Sequence, residues 1–483
     1  MISVLSRLET IFFHPDRRVA QGAWAALIVA GGLLTALLVA ALGPLLAPAG
    51  VIVLIIGLLI LRDIRWGFAA LIGVIGILPF AALPFKLGFT PTFLDIALLA
   101  VYFVWIMRIA TRREPTPGIS PLGLPVLVFL ALALFAFANG LRFNRPTATT
   151  VRNFVELMLA IGFFFVVVNA LRRQADVELV ARLLMLVGAG AAAIAILFYV
   201  IPEAWTVRIL DALARFNYPG GYGALRYIED DPANPMRAIG TMVDPNVLGG
   251  FLILMAGLTA PQVVSPQPLL KRRWVTLFLA AELLALYLTY SRGSLAGLAA
   301  GLILIGLVRY RKLLLIAILG AGLLLLLPIA QTYVAHLIEG IQLQDRATLM
   351  RLGEYKDALA LIGRYPWFGV GFVGSPDADL YVGVSCLYLL MAEEMGVFGV
   401  AVFLVVMGGL LALLWRAWRR SRGTRGEALL LGLAAAIIGV MVGGLFDHYL
   451  FNLVYPHMST LFWLYLGLGV RAALLAEQTP PGP

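Results

Sequence analysis

Fourteen mainly apolar runs constrain this chain before any other feature does, because each approaches the roughly 20 residues that a helix needs to cross a bilayer. They lie near 22–43, 45–61, 66–83, 93–110, 121–138, 153–171, 177–200, 246–265, 274–290, 293–308, 313–329, 385–415, 427–446 and 453–473. The second, tenth and eleventh are short or tightly joined, so the expected number of spans is about 12–14. The fold class that follows is all-α, a polytopic integral membrane protein with two long loops outside the membrane. A hydrophobic share of 61% against 13% charged residues, with mean hydropathy +0.96, excludes a water-soluble enzyme. The 49 Gly and 26 Pro are scattered without a period, which excludes collagen-like and disordered architectures.

This pattern divides the chain into a helix bundle at 1–200, a first loop at 201–245 and central helices at 246–329. A large loop with an amphipathic helix at 330–384, C-terminal helices at 385–475 and a disordered tail at 476–483 complete it. Lys- and Arg-rich connections stay cytoplasmic, and most of the 36 basic residues fall in alternate connections such as Arg108/Arg112/Arg113, Lys271/Arg272/Arg273 and Arg416–Arg425. Both termini are therefore expected in the cytoplasm and both long loops outside. Residues 1–21 resemble a signal peptide, but the apolar run that follows is longer than a signal core, so an uncleaved first helix is expected. The net charge of +10 is mostly topological, and no nucleic-acid partner is implied. One cysteine, Cys386, and four histidines predict no disulfide, no metal and no cofactor.

Chemistry has to come from polar groups at the outer face or inside the bilayer. The first such group is Arg237…Gly240…Asp244-Pro245-Asn246. Asp244 before Pro245 reads as an N-cap, and a helix N-terminus beside Arg237 is also an anion site. The second is Thr289-Tyr290-Ser291-Arg292-Gly293-Ser294, a tight outward turn. Arg292 there is either a snorkelling interfacial side chain or a bidentate grip on a phosphate. The third is the second long loop. Spacing places Leu352, Tyr355, Leu359 and Ile362 on one face of a helix over 346–363 lying on or over the membrane. The turn Pro366-Trp367-Phe368-Gly369-Val370-Gly371 follows, then Asp377 and Asp379, then a span with Glu393 and Glu394 inside it. Two carboxylates in an apolar helix are costly, so they are either functional or locked to loop arginines such as Arg351. Thr92-x-x-Asp95 reads as a capping box, Arg152 and Glu156 as an i, i+4 pair, and Glu282 as a mid-span carboxyl with no evident partner.

Taken in order, these residues resemble the O-antigen ligase and O-antigen polymerase superfamily of bacterial envelope glycosyltransferases. The resemblance rests on Arg237…Asp244-Pro245-Asn246, Tyr290-Ser291-Arg292-Gly293-Ser294, Arg351-Leu-x-x-Tyr355 and Pro366-x-x-Gly369-x-Gly371. It continues in Ser385-Cys386-Leu387-Tyr388-Leu389…Glu394-Met395-Gly396, and covers about residues 235–400. It implies a metal-independent enzyme of the bacterial inner membrane. The donor would be a polyprenyl-diphosphate-linked oligosaccharide, attacked at C1 by a hydroxyl of a glycan or lipid acceptor, with membrane lipids as the other partners. Arg237, Arg292 and Arg351 would bind the diphosphate.

The family's histidine, regarded as the base, is replaced here by Ser385, with Cys386 in place of its asparagine neighbour. Serine has no useful basicity near neutral pH. By chemistry the candidates for the base are Glu394, Glu393 and the Asp447-His448 pair. The competing readings are a transporter, either a lipid-linked oligosaccharide flippase or a bicarbonate-associated solute carrier, and a non-catalytic scaffold.

Overall fold

The computed structural model describes residues 16–43, 47–84, 90–112, 118, 120–325, 342, 346–376, 379–380 and 382–478. Within them, every expected span falls on a helix. These are α1 (Arg17–Leu42), α2 (Ala47–Arg62), α3 (Ile64–Ile77), α4 (Phe93–Ala110), α5 (Gly123–Gly140), α6 (Ala148–Ala170) and α7 (Gln174–Val200). A short α8 (Glu203–Leu213) precedes α9 (Pro245–Val264), α10 (Arg272–Leu288), α11 (Arg292–Val308) and α12 (Arg311–Leu325). After α13 (Arg346–Arg364) come α14 (Leu387–Arg420), α15 (Gly426–Gly443) and α16 (Pro456–Gln478). Strand pairing among the described residues amounts to two isolated bridges, Ala82 with Thr92 and Tyr227 with Met236.

Among the described residues nine helices are long and apolar enough to cross a membrane. The 12–14 expected spans exceed this number because α2, α3, α10, α11 and α12 have 16, 14, 17, 17 and 15 described residues. A run that is apolar in sequence can still give up its ends to caps and turns. His14, His336, Asp377 and the tail residues 479–483 lie outside the described residues.

The chain forms two compact units, Met1–Gly67 and Phe68–Pro483. In the first, α1 packs on α2, and Ile28, Val29, Leu33 and Leu37 of α1 remain exposed, as expected of a face turned to lipid. In the second, α9 is the central helix and is buried on nearly every side. A helix apolar all round belongs in the interior. It meets α11 and α15 through small residues. A Cβ on Gly257 would collide with the backbone of Ala436, and one on Gly249 with the Ser294 side chain. Small contact residues let membrane helices approach closely. Here they bring the N-termini of α9 and α11 together at one end of the bundle.

The segment after α7 is not an open connection. Val207 and Leu210 of α8 are buried with Tyr218, Leu225, Ile239 and Val243 in a small apolar cluster against Phe198. The second loop also differs from expectation. Helix α13 packs against α14 and buries Ala358 and Leu361, whereas Leu359 is 61% exposed. The helix is rotated from the expected face toward the one that Glu354 shares with Ala358 and Leu361, and a polar bond of Glu354 fixes it there. Glu354 accepts from the Ser385 amide at 2.9 Å, and the Tyr355 hydroxyl donates to the Leu445 carbonyl at 3.3 Å.

Candidate functional site

Two turns, each containing a non-glycine residue in the left-handed region, build the candidate site. In the first, Val243 has φ 59° and sits just before Asp244. A β-branched residue there is strained. The Asp244 carboxylate accepts from the amides of Asn246 (2.7 Å) and Val247 (3.0 Å), so it caps α9 with Pro245 at the first helical position. In the second turn Tyr290 has φ 52°. The Thr289 hydroxyl donates to the Leu286 carbonyl at 2.6 Å and accepts from the Ser291 amide at 3.1 Å, which folds the chain so that Arg292 opens α11.

Arg237 joins the two turns. Its Nε donates to the Thr289 carbonyl (2.8 Å) and an Nη donates to the Asn246 side-chain oxygen (2.8 Å), while the neighbouring Ala238 amide donates to the Leu288 carbonyl (2.8 Å). These bonds aim the guanidinium before any ligand arrives. Arg237, Arg292 and Arg351 then line one cavity of about 150 Å³, together with Tyr290, Asp447 and Tyr449. Three guanidiniums and the N-termini of α9 and α11 converge there, and each favours an anion.

Asp447 is the acidic member of this cavity. Burial pushes its carboxyl up from the ordinary carboxylate range, Asp244 adds to the rise, and His448 and Arg351 oppose it. Its Oδ1 accepts from the His448 amide at 2.7 Å and lies 3.6 Å from the His448 Nδ1. The connection that carries it is pinned to α14, because the Leu387 amide donates to the carbonyls of Gly444 (2.7 Å) and Asp447 (3.1 Å).

Residues 275–404 match the family model described as O-antigen ligase. Over this segment the chain is similar to O-antigen ligases. No curated protein matches the chain at a significant level. The matched segment contains Arg292, Arg351, Glu393 and Glu394, whereas Arg237 and Asp447 reach the cavity from connections on either side of it.

Within the matched segment, the two glutamates sit at a break in α14. Gly396 has φ 68°, which interrupts the helix and frees the carbonyls before it. The turn after α13 takes them up. The Val370 amide donates to the Glu393 carbonyl (2.7 Å) and the Gly371 amide to the Glu394 carbonyl (3.0 Å), while the Val397 amide donates to the Pro366 carbonyl (2.8 Å). Gly369 and Gly396 have to be glycine, because at each a Cβ would collide with the backbone of the opposite segment. The glycine-rich turn and the Glu-x-Gly segment, far apart in sequence, are therefore two halves of one joint.

The Glu393 carboxylate accepts from the Gly383 amide at 3.4 Å, and its charged neighbours are Glu354 and Asp357. The charged neighbour of Glu394 is Glu393. Neither glutamate lines the arginine cavity, and among the described residues no ion pair joins Arg351 to either one. Arg351 instead faces Asp447 and Tyr355. The anticipated lock does not form: the Glu393 carboxylate turns to 383–384, and the backbone carbonyls of both glutamates bond the turn after α13.

The remaining polar positions follow local rules. Thr92 and Asp95 form a capping box at α4. Arg152 reaches Glu156 at 2.7 Å and Asp95 at 3.0 Å. Glu282 is fully buried and accepts from the Thr259 hydroxyl at 3.3 Å. Among the described residues no group of three His, Cys, Asp or Glu could hold a metal ion.

Proposed function

We propose that the chain transfers a glycan from a polyprenyl-diphosphate carrier to an acceptor hydroxyl at the outer side of the bacterial inner membrane, with both termini in the cytoplasm. The observation that carries this reading is the convergence of Arg237, Arg292 and Arg351 on one cavity at two helix N-termini. In the reaction the acceptor oxygen bonds to the anomeric carbon while the bond from that carbon to the diphosphate oxygen breaks. The lipid diphosphate leaves with the electron pair, and the acceptor proton passes to a base. Negative charge grows on the leaving diphosphate, so preorganised guanidiniums and helix dipoles stabilise the transition state more than the ground state.

Asp447 is the group best placed to take the proton, because it shares the cavity with the arginines, and His448 beside it can hold its orientation. Glu394 and Glu393 act in this reading as positioning residues at the α14 break. The membrane transporter, whether flippase or solute carrier, is the weaker alternative, since the cationic groups gather at one end of the bundle. Arg292→Lys keeps the charge but loses the bidentate fork. In a strain lacking the native copy it should fail to restore the envelope polysaccharide while inserting at normal levels. Full restoration by Arg292→Ala would remove the diphosphate role.

A further inference from the structure

A second cavity lies within the larger unit, lined by Thr92 before α4, by Arg152, Asn153 and Glu156 on α6, and by Phe80 and His457. It encloses about 170 Å³, well above the roughly 10–15 Å³ that one water requires. His457 is 0% exposed, and neither of its ring nitrogens has a hydrogen-bond partner. Buried polar side chains are almost always satisfied, so an imidazole with both nitrogens unmet at the wall of a cavity points to something that fills it. The Phe80 ring meets His457 edge-on at 5.0 Å, which fixes the imidazole without using its polar atoms.

The charges decide what that occupant is. Arg152 is already met by Asp95 at 3.0 Å and Glu156 at 2.7 Å, so two carboxylates outnumber one guanidinium and an anion is disfavoured. A cation would face the same guanidinium at close range. What remains is a neutral ligand rich in hydroxyls. A carboxylate accepts from hydroxyls and a guanidinium donates to them. A neutral imidazole and the Asn153 amide each do both. The apolar side chains of Phe80 and Val454 suit the C–H face of a sugar ring. The connection between α15 and α16 links this cavity to the first. Asp447 and Tyr449 line one and Val454 and His457 the other, while Tyr455 lies edge-on to His457 at 6.1 Å and feels the charges of Asp447 and Asp244.

We propose that this second cavity, walled by Thr92, Arg152, Glu156 and His457, is a sugar-binding subsite that holds one pyranose unit of the acceptor glycan. The assignment of that sugar to the acceptor rests on the glycan-transfer reading above, whereas binding of the sugar itself does not.

The test uses the full-length protein in detergent and saturation-transfer NMR with a panel of methyl glycosides of neutral hexoses. At least one should give transfer signal with the wild type. That signal should vanish in His457→Phe, which keeps a ring but no polar atom, and should persist in Arg292→Ala. Glu156→Gln, which keeps the shape of the side chain and one acceptor oxygen, gives the same reading if His457→Phe does not yield monodisperse protein. In a transfer assay the same variants should raise the acceptor KM about tenfold, the scale of one or two lost hydrogen bonds, and leave the donor KM unchanged. Binding that depends on His457 in a protein without transfer activity would retain the subsite and remove only its acceptor role. No signal from any glycoside, or a signal insensitive to both His457 and Glu156, would make the cavity a water pocket and overturn the proposal.

Discussion

Arg237 offers the sharpest quantitative test, because its guanidinium is aimed by a backbone carbonyl and by one side chain that can be removed on its own. Its Nε donates to the Thr289 carbonyl and an Nη to the Asn246 side chain, both at 2.8 Å. Asn246→Ala removes one of these and leaves the charge. A hydrogen bond to a charged group is worth about 1.5–3 kcal/mol, and the remaining Thr289 contact retains part of the aim. The expected loss is therefore near the lower end, about tenfold in kcat/KM. Arg237→Lys removes both aiming bonds and the fork while keeping the charge. A misplacement of about 1 Å in a positioned group can cost about 10²-fold, so the loss should reach that size. Arg237→Ala also removes the charge and should cost at least as much again. The assay is transfer of a labelled glycan from lipid-diphosphate donor to acceptor by purified protein in vesicles, with the melting temperature as a control for folding. A series in which Asn246→Ala costs more than Arg237→Lys, or in which Arg237→Ala is near wild type, would refute the reasoning.

Two further predictions concern Asp447 and the α14 break. Burial raises the Asp447 carboxyl, so the native state binds the proton more tightly than the unfolded chain does. Stability should therefore fall as pH rises from the ordinary carboxylate range through the raised value, and then level off. Asp447→Asn should melt higher than wild type near neutral pH yet lose about 10²–10⁴-fold in transfer, and the acidic limb of the wild-type rate profile should disappear with it. A lower melting temperature with retained activity would remove the carboxylate from the chemistry. At the break, Gly396 has φ 68° and its Cβ position is blocked by the Trp367 backbone. Gly396→Ala should cost about 1–3 kcal/mol for the left-handed conformation alone, before the collision is counted. Gly408→Ala, which meets nothing within 4 Å, should be neutral in the same thermal unfolding measurement, and equal melting points for the two would contradict the joint.

What the sequence revealed was whatever local chemistry determines. The Asp244-Pro245 start of α9, the Thr92/Asp95 box and the turn before Arg292 are each set by residues within four positions of one another, so they were legible. The grouping of Arg237, Arg292 and Arg351 was implied by the resemblance and not by local chemistry, since Arg351 comes to the cavity from α13. Glu393 and Glu394 were legible as costly carboxylates, but their direction depends on the break at Gly396 and on amides of Val370 and Gly371 more than 20 residues earlier. Asp447 was visible only as the neighbour of His448, since its place in the cavity depends on the docking of Leu387 against Gly444 and Asp447. The rotation of α13 had the same origin, because the long-range bond of Glu354 outweighs the apolar spacing. His457 gave no signal in the sequence beyond being a lone histidine in an apolar run, and its unmet nitrogens emerge only from the packing around it.

In the proposed reaction the arginine cavity breaks a sugar–diphosphate bond rather than moving an intact lipid-linked glycan. The most direct measurement reconstitutes the purified chain in sealed vesicles holding a donor labelled in both glycan and lipid, supplies acceptor on one side, and follows the two labels separately. The labels should part, with one lipid diphosphate released for each glycan bound to acceptor, and Arg292→Ala should abolish the release. Both labels crossing the bilayer together, with the bond intact and no acceptor modified, would contradict that reaction.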